Sequence, residues 1–243
     1  MARRFVSEVT EEARSLLTRV PRSHSAVCTT CHGPTAKTGR CSSCIRNEAA
    51  VAHPCERVAP ISLCEKGTLL YDALLGYKTN PDAGVRAEHE VILAATLARF
   101  LSEHSACIGE FDLATGVPST RGRTPPPVAR LVDRVTNLRG NIAFADDLLI
   151  PSDGRSVERT ADPSAFMPSR KLEGQRVLLI DDTWVSGARA QSAAHAITTA
   201  GGIVVATIVI ARLIDTDEES AAKLWKLAAS AAFEFDRCVL SPH

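Results

Sequence analysis

The apolar and polar positions divide the chain into runs of helical period and two stretches with no polar alternation at all. Val177-Leu178-Leu179-Ile180 and Ile203 to Ala211, with only Thr207 inside, read as strands buried on both faces of a parallel sheet. Between them Ala188 to Ala200 is an alanine-rich helical run, and Ala200-Gly201-Gly202 supplies the C-cap and turn. The three pieces predict a β-α-β unit with a right-handed crossover.

Other elements are arranged around that unit. Helical spacing from Ser7 to about Val20 predicts a helix with Ser7 as N-cap, ended by Pro21. Val58 to Cys64 reads as an edge or peripheral strand, because Pro60 cannot donate to a central ladder. Gly67 to Lys78 and Gly84 to Glu103 carry apolar faces of helical period, with Asn80-Pro81-Asp82 as the turn between them. Phe111 to Val117 is expected as the first central strand of the main sheet, and Leu148 to Ile150 as a short strand. Pro151 to about Glu173 has little periodicity, so it is read as a mobile or functional loop with Arg170 and Lys171 as its charged tip or base. Asp217 to Ala232 predicts a terminal amphipathic helix, with Phe233 to Leu240 as a candidate last strand. Trp184 and Trp225 are expected as packing anchors.

Composition narrows the class. At 243 residues, 45% hydrophobic and 23% charged, the chain suits one α/β domain with a small appendage. Its 28 basic and 28 acidic residues cancel, which argues against a strongly electrostatic nucleic-acid or membrane binder. Met1 to Phe5 lacks the apolar core of a signal peptide, and no apolar run is long enough to span a bilayer, so a cytoplasmic protein is expected.

The eight cysteines then point to metal rather than disulfides. Cys28-Thr29-Thr30-Cys31 and Cys41-Ser42-Ser43-Cys44 are paired knuckles, each able to present two thiolates to one ion. Two such pairs favour a closed, structural Zn²⁺ site over a redox pair, with His32 and His53 as lower-ranked substitute ligands. Cys55, Cys64, Cys107 and Cys238 have no ligand spacing and are expected as small buried apolar residues. The expected organisation is an N-terminal helix (1–25), a zinc module (26–50) and an α/β domain (51–243).

The candidate chemistry lies where the first buried strand ends, at Asp181-Asp182-Thr183-Trp184-Val185-Ser186-Gly187-Ala188. Ligands of open α/β sheets sit beyond the carboxyl ends of the strands. The unpaired amides at the start of the following helix suit a phosphate, Gly187 allows close approach, and Ser186 adds a hydroxyl. Asp181 and Asp182 can accept from vicinal ribose hydroxyls or hold a hydrated Mg²⁺. A second basic stretch, Val117-Pro118-Ser119-Thr120-Arg121-Gly122-Arg123, offers two guanidinium forks for phosphate oxygens. From Pro118 to Gly140 there are five arginines (121, 123, 130, 134 and 139) against Asp133.

The segment 177–194 resembles the phosphoribosyl-pyrophosphate (PRPP) loop of type I phosphoribosyltransferases, and more narrowly the ComF-like branch. Asp-Asp-Thr-Trp, the small-Gly-Ala turn and Ala190-Gln191-Ser192-Ala193-Ala194 carry that resemblance. Val185-Ser186 stands where Thr-Thr or Ala-Thr is usual, and Arg189 replaces Thr or His. The Tyr77-Lys78 pair and the zinc module ahead of the α/β domain are also ComF-like, and the resemblance covers roughly residues 25 to 215. It implies a mainly parallel sheet flanked by helices. It also implies ribose-phosphate contacts at Asp181, Asp182, Thr183, Val185, Ser186, Gly187 and Ala188, and pyrophosphate contacts at Arg121 and Arg123. The polar stretch after Ile150 corresponds to the family's flexible catalytic loop. Phosphoribosyl transfer from PRPP with Mg²⁺ to an unspecified acceptor is the enzymatic expectation. The other expectation is a non-catalytic protein of the same fold: a PRPP sensor, or a competence protein handling single-stranded DNA or a partner protein. Aromatic residues at only 5% leave few stacking platforms for single strands.

Overall fold

A computed structural model describes residues 2–22, 24–119, 126–139, 142–152 and 157–241. Four strands, β1 (Val58–Glu65), β2 (Leu113–Gly116), β5 (Arg176–Trp184) and β6 (Ile203–Ile214), form one all-parallel sheet in the order β1-β6-β5-β2. The two strands read as fully buried are its centre, and α7 (Ala188–Thr199) connects them. Pro60 sits in β1 at one edge, as its missing N–H requires. The strand expected as central, β2, is the opposite edge and spans only four residues; its outer side takes a single bridge from Ala114 to Phe144.

Side-chain alternation along β5 separates two apolar layers. Leu178 and Ile180 pack with α3 (Leu69–Thr79), α4 (Ala83–Glu103) and α6 (Pro127–Arg139). Val177 and Leu179 face α7 and the four buried cysteines, so those cysteines share an apolar cluster with the α/β sheet. The long α4 starts where Asp82 caps the amides of Gly84 and Val85 at 2.7 and 3.2 Å. Residues after Cys41 form a helix that sequence spacing did not reveal, α2 (Ser42–Ala50).

Four further expectations change. The first helix, α1 (Ala2–Glu12), begins before Ser7 and passes through one 3₁₀ turn to Leu16. Beyond it the chain extends so that Thr18 accepts from the Leu63 amide at 3.0 Å, covering the free edge of β1. Pro151–Glu173 is not one loop. Its described part contains β4 (Phe166–Pro168), paired antiparallel with β3 (Leu149–Pro151), and Val157, Ala161, Phe166 and Leu172 are buried. Arg170 and Lys171 precede β5, at the end opposite Asp181, and Arg170 donates to the Gln175 side chain at 2.5 Å. Phe233–Leu240 adds no strand; after α8 (Glu219–Ala229) it packs Phe233, Phe235 and Cys238 into the core without regular structure. The short α5 (Ser105–Ile108) completes the described helices. Among the described residues no helix is long and apolar enough to cross a membrane.

Candidate functional site

β5 carries Asp181 to Trp184 within its pairing with β6, and Val185 to Gly187 turn directly into α7. Gly187 is the N-cap of α7 with φ +82°, and a Cβ built there would lie 2.1 Å from the Trp184 ring. Glycine is therefore required twice, by backbone conformation and by the buried indole. Ser186 Oγ accepts from the Ala188 amide at 3.3 Å and donates to the Glu158 carbonyl at 3.1 Å. The next amides of α7 have no helical carbonyl to meet.

These residues open onto a cavity of about 660 Å³. Asp181, Thr183, Val185, Ser186, Gly187 and Ala188 line it, together with Lys78, Arg189, Ser119 and the segment Val157-Glu158-Arg159. The stretch expected to act as a lid thus reaches the cavity through residues 157–159, not through Arg170 and Lys171. Asp182 is not part of the lining. Neighbouring residues on a strand point to opposite faces, and the two carboxylates follow that rule. Asp181, 3% exposed, faces α7, with Arg189 Nη2 3.6 Å from its Oδ2; the Asp182 amide donates to its Oδ1 at 2.9 Å. Asp182, 2% exposed, faces α3, where the Tyr77 hydroxyl donates to it and Lys78 Nζ lies 2.5 Å away. Its Oδ1 is buried without a partner.

The environments push the two acids apart. Burial raises Asp181 to about 6, with Arg189 opposing. Burial also acts to raise Asp182, but the Lys78 ammonium and the Tyr77 hydroxyl outweigh it and hold it below the ordinary carboxylate value. Tyr77 moves well above its usual pKa through burial and the adjacent Asp182 charge. Ionised Asp182 is thus a structural counter-charge for Lys78, while Asp181 is the carboxylate that meets the cavity.

The four knuckle cysteines are buried, and their sulfurs all lie within 4.8 Å of one another. Cys28 to Cys44 and Cys31 to Cys41 are 3.7 and 3.8 Å apart. A tetrahedral ion with bonds of about 2.3 Å separates its sulfurs by about 3.8 Å, so the donor set fits zinc. Neither His32 nor His53 belongs to the group. His32 is buried and pushed down to about 4 by that burial, and His53 stacks on His195. Of the remaining cysteines Cys55, Cys64 and Cys238 are buried, and Cys107 is half-buried.

The cysteine module is joined to the loop by two residues that sequence spacing did not single out. Asn47 of α2 donates to the Ser186 carbonyl at 2.7 Å and accepts from the Ala161 amide at 2.9 Å. Arg212 of β6 donates to the carbonyls of Trp184 and Val185 at 3.1 and 2.8 Å. Burial opposes its charge, but the thiolate charge of Cys31, Cys41 and Cys44 outweighs this and raises its pKa. Gly33 leaves room for that guanidinium, since a Cβ there would lie 2.4 Å from Arg212 Nε.

Of the basic stretch, Arg121 and Arg123 lie outside the described residues. Arg130 and Arg134 are not free for an anion: both pair with the buried Glu90 of α4, at 3.2 and 2.6 Å.

No protein-family model and no curated protein matches the chain. Among solved structures it is similar to an adenine phosphoribosyltransferase from Thermoanaerobacter pseudethanolicus, at 21% identity and a TM-score of 0.30, over 50% of this chain and 79% of that one. It is also similar to a purine phosphoribosyltransferase from Pyrococcus horikoshii, at 17% identity and a TM-score of 0.32, over 52% and 86% of the two chains. At TM-scores this low the likeness adds nothing to the site, whose chemistry stands on this chain's own residues.

Proposed function

We propose that the cavity at the end of β5 binds a phosphorylated ribose, either PRPP or a ribose 5-phosphate group, and that the chain is a ComF-like phosphoribosyltransferase. The observation that carries this reading is a buried carboxylate and a glycine-led helix start on one cavity wall. In the proposal the 5′-phosphate lies on the amides and hydroxyls of Thr183 to Ala188. Asp181 accepts from the ribose hydroxyls, and Asp182 keeps Lys78 in place at the rim. Arg121 and Arg123 are proposed for the pyrophosphate.

Transfer would break the bond between the anomeric carbon and pyrophosphate and form one to a nitrogen nucleophile. Pyrophosphate leaves with the bonding electron pair, and positive charge develops on the ribose. The chain's part is positioning and electrostatics, with Asp181 the negative charge nearest that ring. Asp181 is also a cavity oxygen ligand that would suit a hydrated Mg²⁺, which would neutralise charge on the leaving pyrophosphate. The four thiolates are proposed to hold one structural Zn²⁺.

Calorimetric titration with PRPP and Mg²⁺, paired with pyrophosphate release over a panel of nucleobases, tests the reading. Saturable binding with release establishes transfer. Binding without release from any base reduces the proposal to a PRPP sensor. No binding of PRPP or ribose 5-phosphate removes it.

A further inference from the structure

A second cluster of metal-ligating side chains lies far from the knuckles in sequence. One ligand atom each from His104, Cys107 and Cys238 lies within 4.8 Å of the others. His104 closes α4 and caps α5, and Cys107 follows one turn later, so the two share a helix face. Cys238 arrives from the irregular segment after α8. His104 Nε2 lies 2.5 Å from the Phe235 carbonyl. A carbonyl only accepts, so Nε2 carries the proton and the lone pair is left on Nδ1. Ligating histidines are oriented in this way, by giving their other ring N–H to a backbone carbonyl. The ring is also held against Phe100, with centroids 4.5 Å apart.

Both thiols have weak partners that an ion would replace with little loss. Cys107 Sγ donates to the His104 carbonyl at 3.3 Å, and Cys238 Sγ accepts from the Leu240 amide at 3.4 Å. Cys238 is 1% exposed and is among the residues that line a cavity of about 320 Å³, with Arg19, Arg22, Arg237 and Glu234. No carboxylate belongs to the set, so Mg²⁺ and Ca²⁺ are poor candidates, while two thiolates with one imidazole suit a thiophilic, borderline-soft ion.

We propose that His104, Cys107 and Cys238 form a second Zn²⁺ site, separate from the four-cysteine centre, which ties the C-terminal segment to α4 and α5. Binding releases the two thiol protons, the ion keeps its oxidation state, and three protein ligands leave a fourth position for water. Because that position is open, this site should give up its ion before the closed four-thiolate centre does.

The test uses the full chain purified with reductant, reconstituted with Zn²⁺ and counted by elemental analysis. Cys238→Ser and Cys107→Ser should each bind one equivalent less than wild type. Chelator titration of the wild type should be biphasic, and the weaker phase should be missing from both variants. His104→Gln should weaken that phase tenfold or more. Co²⁺ in the weak site should give thiolate charge-transfer bands that Cys238→Ser abolishes. Should either cysteine variant lose solubility, hydrogen exchange of wild-type residues 233–241 with and without Zn²⁺ decides, with added protection expected. Equal zinc content in wild type and both variants overturns the proposal. So does a Cys107–Cys238 disulfide found by peptide mapping under reductant.

Discussion

Asn47 joins the four-cysteine module to the cavity loop and to the segment that follows Arg159: its amide donates to the Ser186 carbonyl and its carbonyl oxygen accepts from the Ala161 amide. The residue is 1% exposed and its contact with the Ala161 amide is buried, while the one with the Ser186 carbonyl is part-buried. Asn47→Ala should cost roughly 2–4 kcal/mol, because one backbone donor and one acceptor are left unsatisfied. Asn47→Asp should be comparably harmful, since it keeps the acceptor for Ala161 but sets a carboxylate against the Ser186 carbonyl. Urea unfolding of the three proteins measures this. A change below about 0.5 kcal/mol for Asn47→Ala would show that the bridge carries no strain-free contact worth naming.

Arg212 makes the loop depend on the cysteines' charge. Its guanidinium is held beside the thiolates and, in turn, holds the carbonyls of Trp184 and Val185. Removing the proposed Zn²⁺, or replacing Cys41 by Ser, should therefore loosen residues 183–188 as well as the module. Hydrogen exchange of the chelated protein should lose protection in that segment, and ribose 5-phosphate affinity should fall severalfold. Arg212→Lys should reproduce the loss with metal content intact, because both carbonyls are met by Nη1, and a lysine ammonium ends one bond short of it. Loss of protection confined to residues 28–44 on chelation would sever the proposed link.

Asp181 carries a sign-definite pH dependence. Its folded pKa of about 6 exceeds the unfolded carboxylate value of about 3.9, so the native state binds more protons between those limits. Stability from this group is therefore greatest at low pH and is lost as pH rises through about 6, a change of roughly 1–3 kcal/mol. Asp181→Asn has no proton to lose, so wild type minus variant should shrink steadily from about pH 4.5 to about pH 7. Unfolding free energies without ligand or Mg²⁺ across that range give the comparison. A flat difference would mean that Arg189 keeps Asp181 ionised throughout.

The parts of this fold legible in sequence are those with a local cause. The apolar runs of β5 and β6, broken only by Thr207 over 177–180 and 203–211, follow from having both faces covered, and Pro60 suits β1 to its edge position. β4 escaped because Phe166-Met167-Pro168 is too short to show any period. Ser7 is a good cap by residue type, yet helical residues precede it, so α1 starts earlier than its polar signal. Arg130 and Arg134 count with the basic stretch in sequence because their partner, Glu90, lies on a different helix. The candidate loop was visible, but not its supports. Asn47 and Arg212 are single polar residues whose roles depend on which carbonyls tertiary packing brings to them. Nor could sequence show that adjacent aspartates face opposite layers, although strand alternation accounts for it once both lie inside β5.

That opposition predicts different failures for the two aspartates. Asp181→Asn keeps the shape of the cavity wall but removes the charge that would strengthen hydrogen bonds to ribose hydroxyls. At about 1.5–3 kcal/mol this is a tenfold to hundredfold loss of affinity for PRPP or ribose 5-phosphate. The fold should gain, not lose, stability at neutral pH, since a buried acid that resists ionisation has been neutralised. Asp182→Asn acts from behind the wall. It still accepts from Tyr77 but no longer neutralises Lys78, so stability should fall by roughly 1–3 kcal/mol, and Lys78 should turn away from its present place at the rim. The affinity loss should then be matched by Lys78→Met, and adding Lys78→Met to Asp182→Asn should cost little more. Asp181→Asn combined with Lys78→Met should instead be close to additive. Calorimetry on the three single and two double variants separates the cases. Tight binding by Asp181→Asn with weak binding by Asp182→Asn would reverse the assignment and make Asp182 the carboxylate that meets the sugar.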